Sequence, residues 1–176
     1  VSPLTPERLD EALEQLVDAE LVFRRGTPPQ ATYAFKHALV RDAAYDSLLM
    51  ARRAVIHAAL LKHLQTDDSV QPQILAHHAA AAGLMSEAAD HWERAGERAA
   101  ARSTFGEAIG HFEQALHCVG ALDGANPNGP GDAARERALR LELRLAHASV
   151  AGRGHASPLT AQAFKRAHAL ADSLAA

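Results

Sequence analysis

Eleven histidines and one cysteine are the side chains to consider first as metal ligands or nucleophiles. His77 and His78 are adjacent, and neighbouring side chains on a helix point about 100° apart, so the two cannot easily share one ion. The sequence has no Cys/His ligand spacing typical of zinc and no HExxH motif. No serine stands in a G-x-S-x-G elbow. Cys118 falls in a helical repeat, where it is expected to be a small buried apolar residue. We therefore predict no catalytic centre, no metal site and no cofactor.

Composition favours helices and argues against a nucleic-acid partner. Apolar residues make up 48% of the 176 residues, aromatic residues only 5%, and alanine supplies much of the apolar fraction. Alanine has the highest helix propensity and lets helices approach closely. The formal charge of −3 lacks the basic excess of a nucleic-acid binder. The pairs Arg24-Arg25 and Arg52-Arg53 are therefore expected to be solvated, although DNA phosphates are an alternative partner for them. The lone cysteine and the absence of a 20-residue apolar run or a signal peptide favour a cytoplasmic protein without a membrane span.

Helical periodicity dominates the chain, with one strand-like interruption. Thr5-Pro6 is a helix-start signature for a segment that runs to about Leu21. Two β-prone runs, at 21–25 and 31–35, flank a Gly/Pro turn and predict a β-hairpin. From His37 onward the pattern is helical, interrupted by a Gly/Pro/Asn-rich loop over residues 120–131. The predicted organisation is a first part, residues 1–66, and a helical-repeat part, residues 67–176.

Two segments of the second part repeat each other at an offset of 20 residues. The stretch EAADHWERA at 87–95 aligns with EAIGHFEQA at 107–115, and helices with the same face pattern stack into a solenoid. Over roughly residues 89–122 the chain resembles the tetratricopeptide repeat. The positions that match that motif are Trp92, Gly96, Ala99, Phe105, Ala108, Phe112 and Ala115. Trp92 and Phe112 are expected to pack in the core, the alternative being an exposed aromatic site for peptides.

The hairpin and the following helix carry a second resemblance. The run from Phe35 to Tyr45 (FKHALVRDAAY) is similar to the end of the winged-helix domain in STAND-type signalling NTPases. That family has a Met-His-Asp motif there, and its histidine contacts the β-phosphate of bound ADP. The resemblance places His37 at the histidine, with Lys36 and Ala38 replacing the methionine and the aspartate. The chain also resembles bacterial proteins that join a cyclase or kinase domain to an AAA-like ATPase and then to tetratricopeptide repeats. The runs that carry this wider likeness are 19–26, 35–49, 76–78 and 82–84.

These patterns predict an all-α fold, a tetratricopeptide-like helical superhelix with a short N-terminal β-hairpin, the remnant of a winged helix. The expected function is non-catalytic and regulatory: the repeats bind a protein partner or adjacent domains, and His37 senses ADP only within a full-length NTPase. The chain itself has no GxxxxGK[ST] phosphate loop. The alternating Arg/Glu face of residues 134–144 is either a solvated face or a partner surface. A competing function is a small-molecule sensor of a transcriptional or cyclase regulator, with a polar pocket between the last helices. The sequence does not indicate an oligomeric state.

Overall fold

The computed structural model describes residues 5–124 and 131–175, except the side chain of residue 123. Over these residues the fold is all-α with a short N-terminal β-hairpin, which confirms the predicted fold class. No described helix is long and apolar enough to cross a lipid bilayer. In chain order the elements are α1 (Pro6–Asp18), β1 (Val22–Arg25), β2 (Thr32–Phe35), α2 (Ala38–Asp46), α3 (Met50–Leu64), α4 (Pro72–Ala81), α5 (Met85–Ala101), α6 (Phe105–Gly124), α7 (Asp132–Arg153) and α8 (Pro158–Ala175).

The chain divides into two compact units, one up to Ile56 and one from His57 onward. The division falls inside α3, whereas the sequence analysis placed a boundary after residue 66. Each unit is described separately below.

The first unit consists of α1, the antiparallel hairpin, α2 and the start of α3. Helix α1 ends at Asp18 and not near Leu21, because Glu20 adopts a left-handed backbone conformation (φ 58°) that turns the chain into β1. In the hairpin Val22 pairs with Phe35 and Arg25 with Thr32. Among the described residues of this unit, Val22 is the one fully buried apolar side chain. This unit therefore has a small core of its own.

The second unit is an array of helices that pack mainly on their neighbours in sequence. Helix α4 packs on α5, α5 on α6, α6 on α7, and α7 on α8. Such nearest-neighbour packing is typical of helical-repeat proteins. The core contains mostly small side chains, including the fully buried Ala79, Ala99 and Ala146, together with the larger Leu141 and Leu145. These alanines explain how so few aromatic residues suffice, since small side chains let the helix axes approach closely.

Glycine positions at helix ends and crossings agree with this packing. Gly83 follows α4 with φ +79°, a left-handed conformation in which glycine ends the helix without strain. Inside the array, a Cβ at Gly152 of α7 would lie 2.8 Å from Cβ of Phe105 in α6. The close approach of these two helices therefore depends on the missing side chain at residue 152.

The predicted loop over residues 120–131 begins later than expected. Helix α6 continues to Gly124, and α7 begins at Asp132; residues 125–130 lie outside the described part of the chain. Glycine in a helix costs about 1 kcal/mol relative to alanine. Burial of Cys118 and Val119, the two residues before Gly120, offsets this cost as the helix continues past it.

Candidate functional site

His37 stands immediately before α2, at its N-cap position. Its backbone is extended (φ −130°, ψ 130°), and its side chain makes no capping hydrogen bond to the helix. The imidazole is exposed, and the first turn of α2 contains no acidic residue. A helix N-terminus whose first turn contains no carboxylate favours an anion. The geometry is therefore compatible with a phosphate-contacting histidine.

The cationic side chains next to His37 are engaged within the first unit. Lys36 forms an ion pair with Glu20 at 3.4 Å and lies 5.1 Å from the ring centroid of Phe23. Arg41 pairs with the neighbouring Asp42 at 2.8 Å. Both ion pairs involve well-exposed carboxylates, so each contributes little stability.

The arginines considered as DNA contacts also have partners within the chain. Arg24 pairs with Glu14 of α1, an ion pair that raises the pKa of Arg24. Arg53 donates to the backbone oxygens of Leu48 and Asp46 at 2.9 and 2.8 Å, and its guanidinium lies 4.6 Å from the ring centroid of Tyr45. One arginine of each predicted pair is thus used to hold the first unit together.

The charged face predicted on α7 is largely occupied by contacts with α5. Glu93 of α5 is the centre of these contacts, because Arg144, Arg137 and Arg140 lie 2.8, 3.4 and 3.6 Å from its carboxylate oxygens. The contacts extend along both helices through two further ion pairs, Arg137 with Asp90 at 2.5 Å and Arg144 with Glu97. We refer to Asp90, Glu93, Glu97, Arg137, Arg140 and Arg144 as the α5–α7 ion network.

The sequence did not indicate this network, because the partners are 44–51 residues apart. Charges spaced along one helix look the same whether they face solvent or a second helix. Within α7, Arg135 forms an ion pair with Asp132 at 3.2 Å. This is the kind of local pairing that the sequence pattern suggested. The network instead joins α5 and α7 through ion pairs centred on the mostly buried Glu93.

A cavity of about 390 Å³ adjoins this network between α5, α6 and α7. Arg144, Glu97 and His147 line one side, and Phe105 and Phe112 line another. Its lining therefore combines polar and aromatic groups. By contrast, the groove of about 310 Å³ between α7 and α8 is mostly apolar, with residues Leu139, Leu143, Phe164, Ala167, His168 and Ala171.

The seven repeat-motif residues all lie in α5 and α6. Ala99, Ala108 and Ala115 are fully buried, and Phe112 is buried against the Gly96 backbone. The remaining aromatic residues, Trp92 and Phe105, are half-buried.

Trp92 packs against the main core cluster, and its indole stacks on His111 with ring centroids 5.3 Å apart. Burial lowers the pKa of His111, and Arg102 lowers it further, while Glu107 opposes the shift. Trp92 Nε1 is buried and has no hydrogen-bond partner among the described residues. These contacts favour a core-packing role for Trp92 over an exposed site for peptides.

A histidine cluster lies between α3 and α4. His57 Nδ1 and His78 Nδ1 are 2.8 Å apart, and the His77 ring centroid lies 6.0 Å from that of His57 and 5.7 Å from that of His78. The rings of the adjacent His77 and His78 are inclined at 71° to each other. Sequence reasoning missed His57, since nothing in the pattern connects it to residues 20 positions later. No group of three or more His, Cys, Asp or Glu side chains among the described residues is arranged to hold a metal ion.

Cys118 is buried in α6, and burial raises the pKa of its thiol. A thiol with a raised pKa carries little thiolate at neutral pH and is a poor nucleophile. Its placement matches the expected small apolar residue.

No protein-family model matches the sequence, and no solved structure matches it. An uncharacterized protein of Rhizobium meliloti (strain 1021) is 30% identical over 118 residues. That match covers 65% of this chain and 12% of the relative. The chain therefore spans about an eighth of the length of the protein it matches.

Proposed function

We propose that this chain is a non-catalytic regulatory segment of a larger cytoplasmic signalling NTPase of the STAND type, with helical repeats that bind a protein partner or adjacent domains. The observation that carries the proposal is the sequential packing of α4 to α8. In such an array, alternate helices present side chains on a common face, and binding energy accumulates over many contacts along that face. The ion network between α5 and α7 gives this face a fixed arrangement.

The first unit supports a role at a domain contact. Leu39, Leu49 and Met50 are 80–85% exposed. Large apolar side chains concentrated on a unit with a small core favour an interaction surface. The relative from Rhizobium meliloti, about eight times longer than the matched segment, is consistent with a setting in which other domains share the polypeptide.

Nucleotide sensing by His37 rests on the resemblance to STAND proteins and on the position of the residue. An exposed imidazole at the start of α2 can reach a phosphate supplied by a neighbouring NTPase domain. Such a contact would stabilise the ADP-bound resting state, because it exists only while ADP is bound.

The test uses the longer protein that contains this segment together with its NTPase domain. Wild type, His37→Ala and the control His155→Ala, a change at an exposed residue of the second unit, are purified identically, and bound ADP per chain is measured by chromatography after denaturation. We expect His37→Ala to retain much less ADP and to show higher basal activity, with the control unchanged. Equal ADP retention in all three proteins would remove the sensing role and leave a scaffold.

The partner-binding role has its own test in the same protein. Arg140 is the exposed arginine at the margin of the ion network, so Arg140→Glu alters the charge of the face. We expect weaker association with the partner or domain that contacts this face, and unchanged association after the same change at Arg25 on the hairpin. Equal association of both variants would argue against this face as the binding surface.

The small-molecule sensor remains a second candidate because of the cavity between α5, α6 and α7, which combines charged and aromatic lining. The groove between the last two helices has the opposite character from the polar pocket expected for a sensor. A ligand that raises the melting temperature of wild type but not of Arg144→Gln would favour this candidate over the scaffold.

A further inference from the structure

The contact between His57 and His78 joins two helices through a pair of titratable rings. His57 is 7% exposed on α3, and its Nδ1 lies 2.8 Å from Nδ1 of the half-buried His78 on α4. One of these two nitrogens must donate a proton and the other must accept it with its lone pair. The contact therefore requires that at least one Nδ1 carries no proton.

Protonation of both rings removes this hydrogen bond. Each imidazolium carries hydrogen on both nitrogens, so neither Nδ1 can accept. The two positive charges would then lie on rings whose centroids are 5.0 Å apart, in a partly buried place where water screens them weakly. Separation of α3 from α4 at this point reduces the repulsion between the two rings and exposes their unpaired Nδ1–H groups to water.

Burial and a neighbouring histidine make protonation of His57 and His78 less favourable. Burial lowers the pKa of His57, and the nearby His77 lowers it further; burial, His57 and His77 together lower the pKa of His78. From α5, Glu87 and His91 meet this region at Gln65, two helical turns beyond His57. Among the described residues, the exposed His77 is the ionisable side chain that lowers the pKa of both rings.

We propose that His57 and His78 form a proton-controlled clasp, which holds α3 to α4 when at least one of them is neutral and opens when both are protonated. His77 lies at the rim of the clasp, and a positive charge on its ring favours opening. The consequence is a contact between α3 and α4 that loosens under mildly acidic conditions. This inference does not depend on the proposed NTPase context.

The first measurement is a histidine NMR titration of the 176-residue chain in buffer that contains EDTA, which removes any metal contribution. We expect His57 and His78 to titrate with midpoints below the ordinary histidine value of 6.5. We also expect His77→Asn to raise both midpoints, because one positive neighbour is removed. Midpoints at or above 6.5 for both rings would overturn the proposal, whatever the variants do.

The second measurement is amide hydrogen exchange at pH 7.5 and 5.5, corrected for the intrinsic exchange rate. We expect the protection factors of α3 and α4 to fall several-fold between pH 7.5 and pH 5.5, because protonation of the pair removes its hydrogen bond and adds charge repulsion. Protection in α7 and α8 should fall less. An equal fall throughout the second unit would mean that the clasp is not a local device.

A matched variant isolates the pair. In the double variant His57→Asn/His78→Asn, side-chain amides occupy positions near those of the Nδ1 atoms and do not titrate. The acid-induced loss of amide protection in α3 and α4 should therefore be smaller than in wild type. The control His155→Asn should lose as much amide protection in α3 and α4 as wild type does. If the double variant fails to fold, the wild-type titration decides; if it folds and loses protection as wild type does, the clasp is excluded.

Discussion

Gly96 of α5 lies against the ring of Phe112 of α6, so closely that a Cβ at residue 96 would be 2.5 Å from Cε1 of the phenylalanine. This contact fixes how α5 and α6 cross, because no other residue type leaves room for the ring. It connects two residues of the repeat motif that are 16 positions apart in the sequence. The motif therefore describes a packing relationship in this chain, independently of any ligand.

Gly96→Ala should destabilise the second unit by up to about 2 kcal/mol. Alanine improves helix propensity by up to about 1 kcal/mol, but overpacking against a buried ring costs about 1–3 kcal/mol. The measurement is urea unfolding followed by the fluorescence of Trp92, the one tryptophan of the chain.

Gly110→Ala is the matched control, since a Cβ at this position in α6 meets nothing within 4 Å. It should stabilise the unit by about 0.5–1 kcal/mol. Destabilisation by both substitutions to the same extent would contradict the specific role of the Gly96–Phe112 contact.

Glu93→Gln should weaken the contact between α5 and α7 by about 1–2 kcal/mol. Glu93 is 15% exposed and interacts with three arginines, which lose their common counter-charge in the variant. Glu136→Gln, the same change at an exposed position of α7, serves as control and should alter stability by less than about 0.5 kcal/mol. Comparison of both variants at low and high salt checks the cause, since screening should reduce the difference between Glu93→Gln and wild type.

The sequence was sufficient for the class of fold and for the core of the repeat, since both depend on local features. Alanine content, helical periodicity and the Gly/Pro turn indicate helices and a hairpin, and the motif spacing identifies the Gly96 and Phe112 positions. The ion network around Glu93 and the His57–His78 pair could not be predicted in this way. Each joins residues on different helices, and a charge or an imidazole on one helix does not indicate which helix it will face.

The stack of Trp92 on His111 should make the protein's fluorescence depend on pH. The folded-state pKa of His111 lies below the ordinary 6.5, so the neutral ring is favoured by folding. Its contribution to stability is fully present above pH 6.5 and is lost as the pH falls through the lowered folded-state pKa. In the folded protein, the indole should then experience a cation at its face and change its emission.

Emission between pH 7.5 and 4.5 should therefore change with a midpoint below 6.5 in wild type. In His111→Gln the transition should be absent at this midpoint, while His147→Gln, at an exposed position of α7, should retain it. A transition that survives in His111→Gln would mean that another group controls the fluorescence.

Arg53→Lys should loosen the turn between α2 and α3 although the charge is kept. The guanidinium of Arg53 donates to two backbone oxygens, of Leu48 and Asp46, and lies over the ring of Tyr45. Lysine has a single ammonium group and cannot reproduce this planar arrangement, so the turn should lose about 1–2 kcal/mol of local stability.

Amide hydrogen exchange in peptides that cover residues 38–53 provides the measurement, with the exposed Arg52→Lys as a control for charge and composition. Faster exchange in Arg53→Lys only would establish Arg53 as the residue that joins the two helices. Equal exchange in the two variants would mean that the backbone of the turn is stable without the guanidinium. Contact with an outside partner, such as a phosphate, would then again be an alternative role for Arg53.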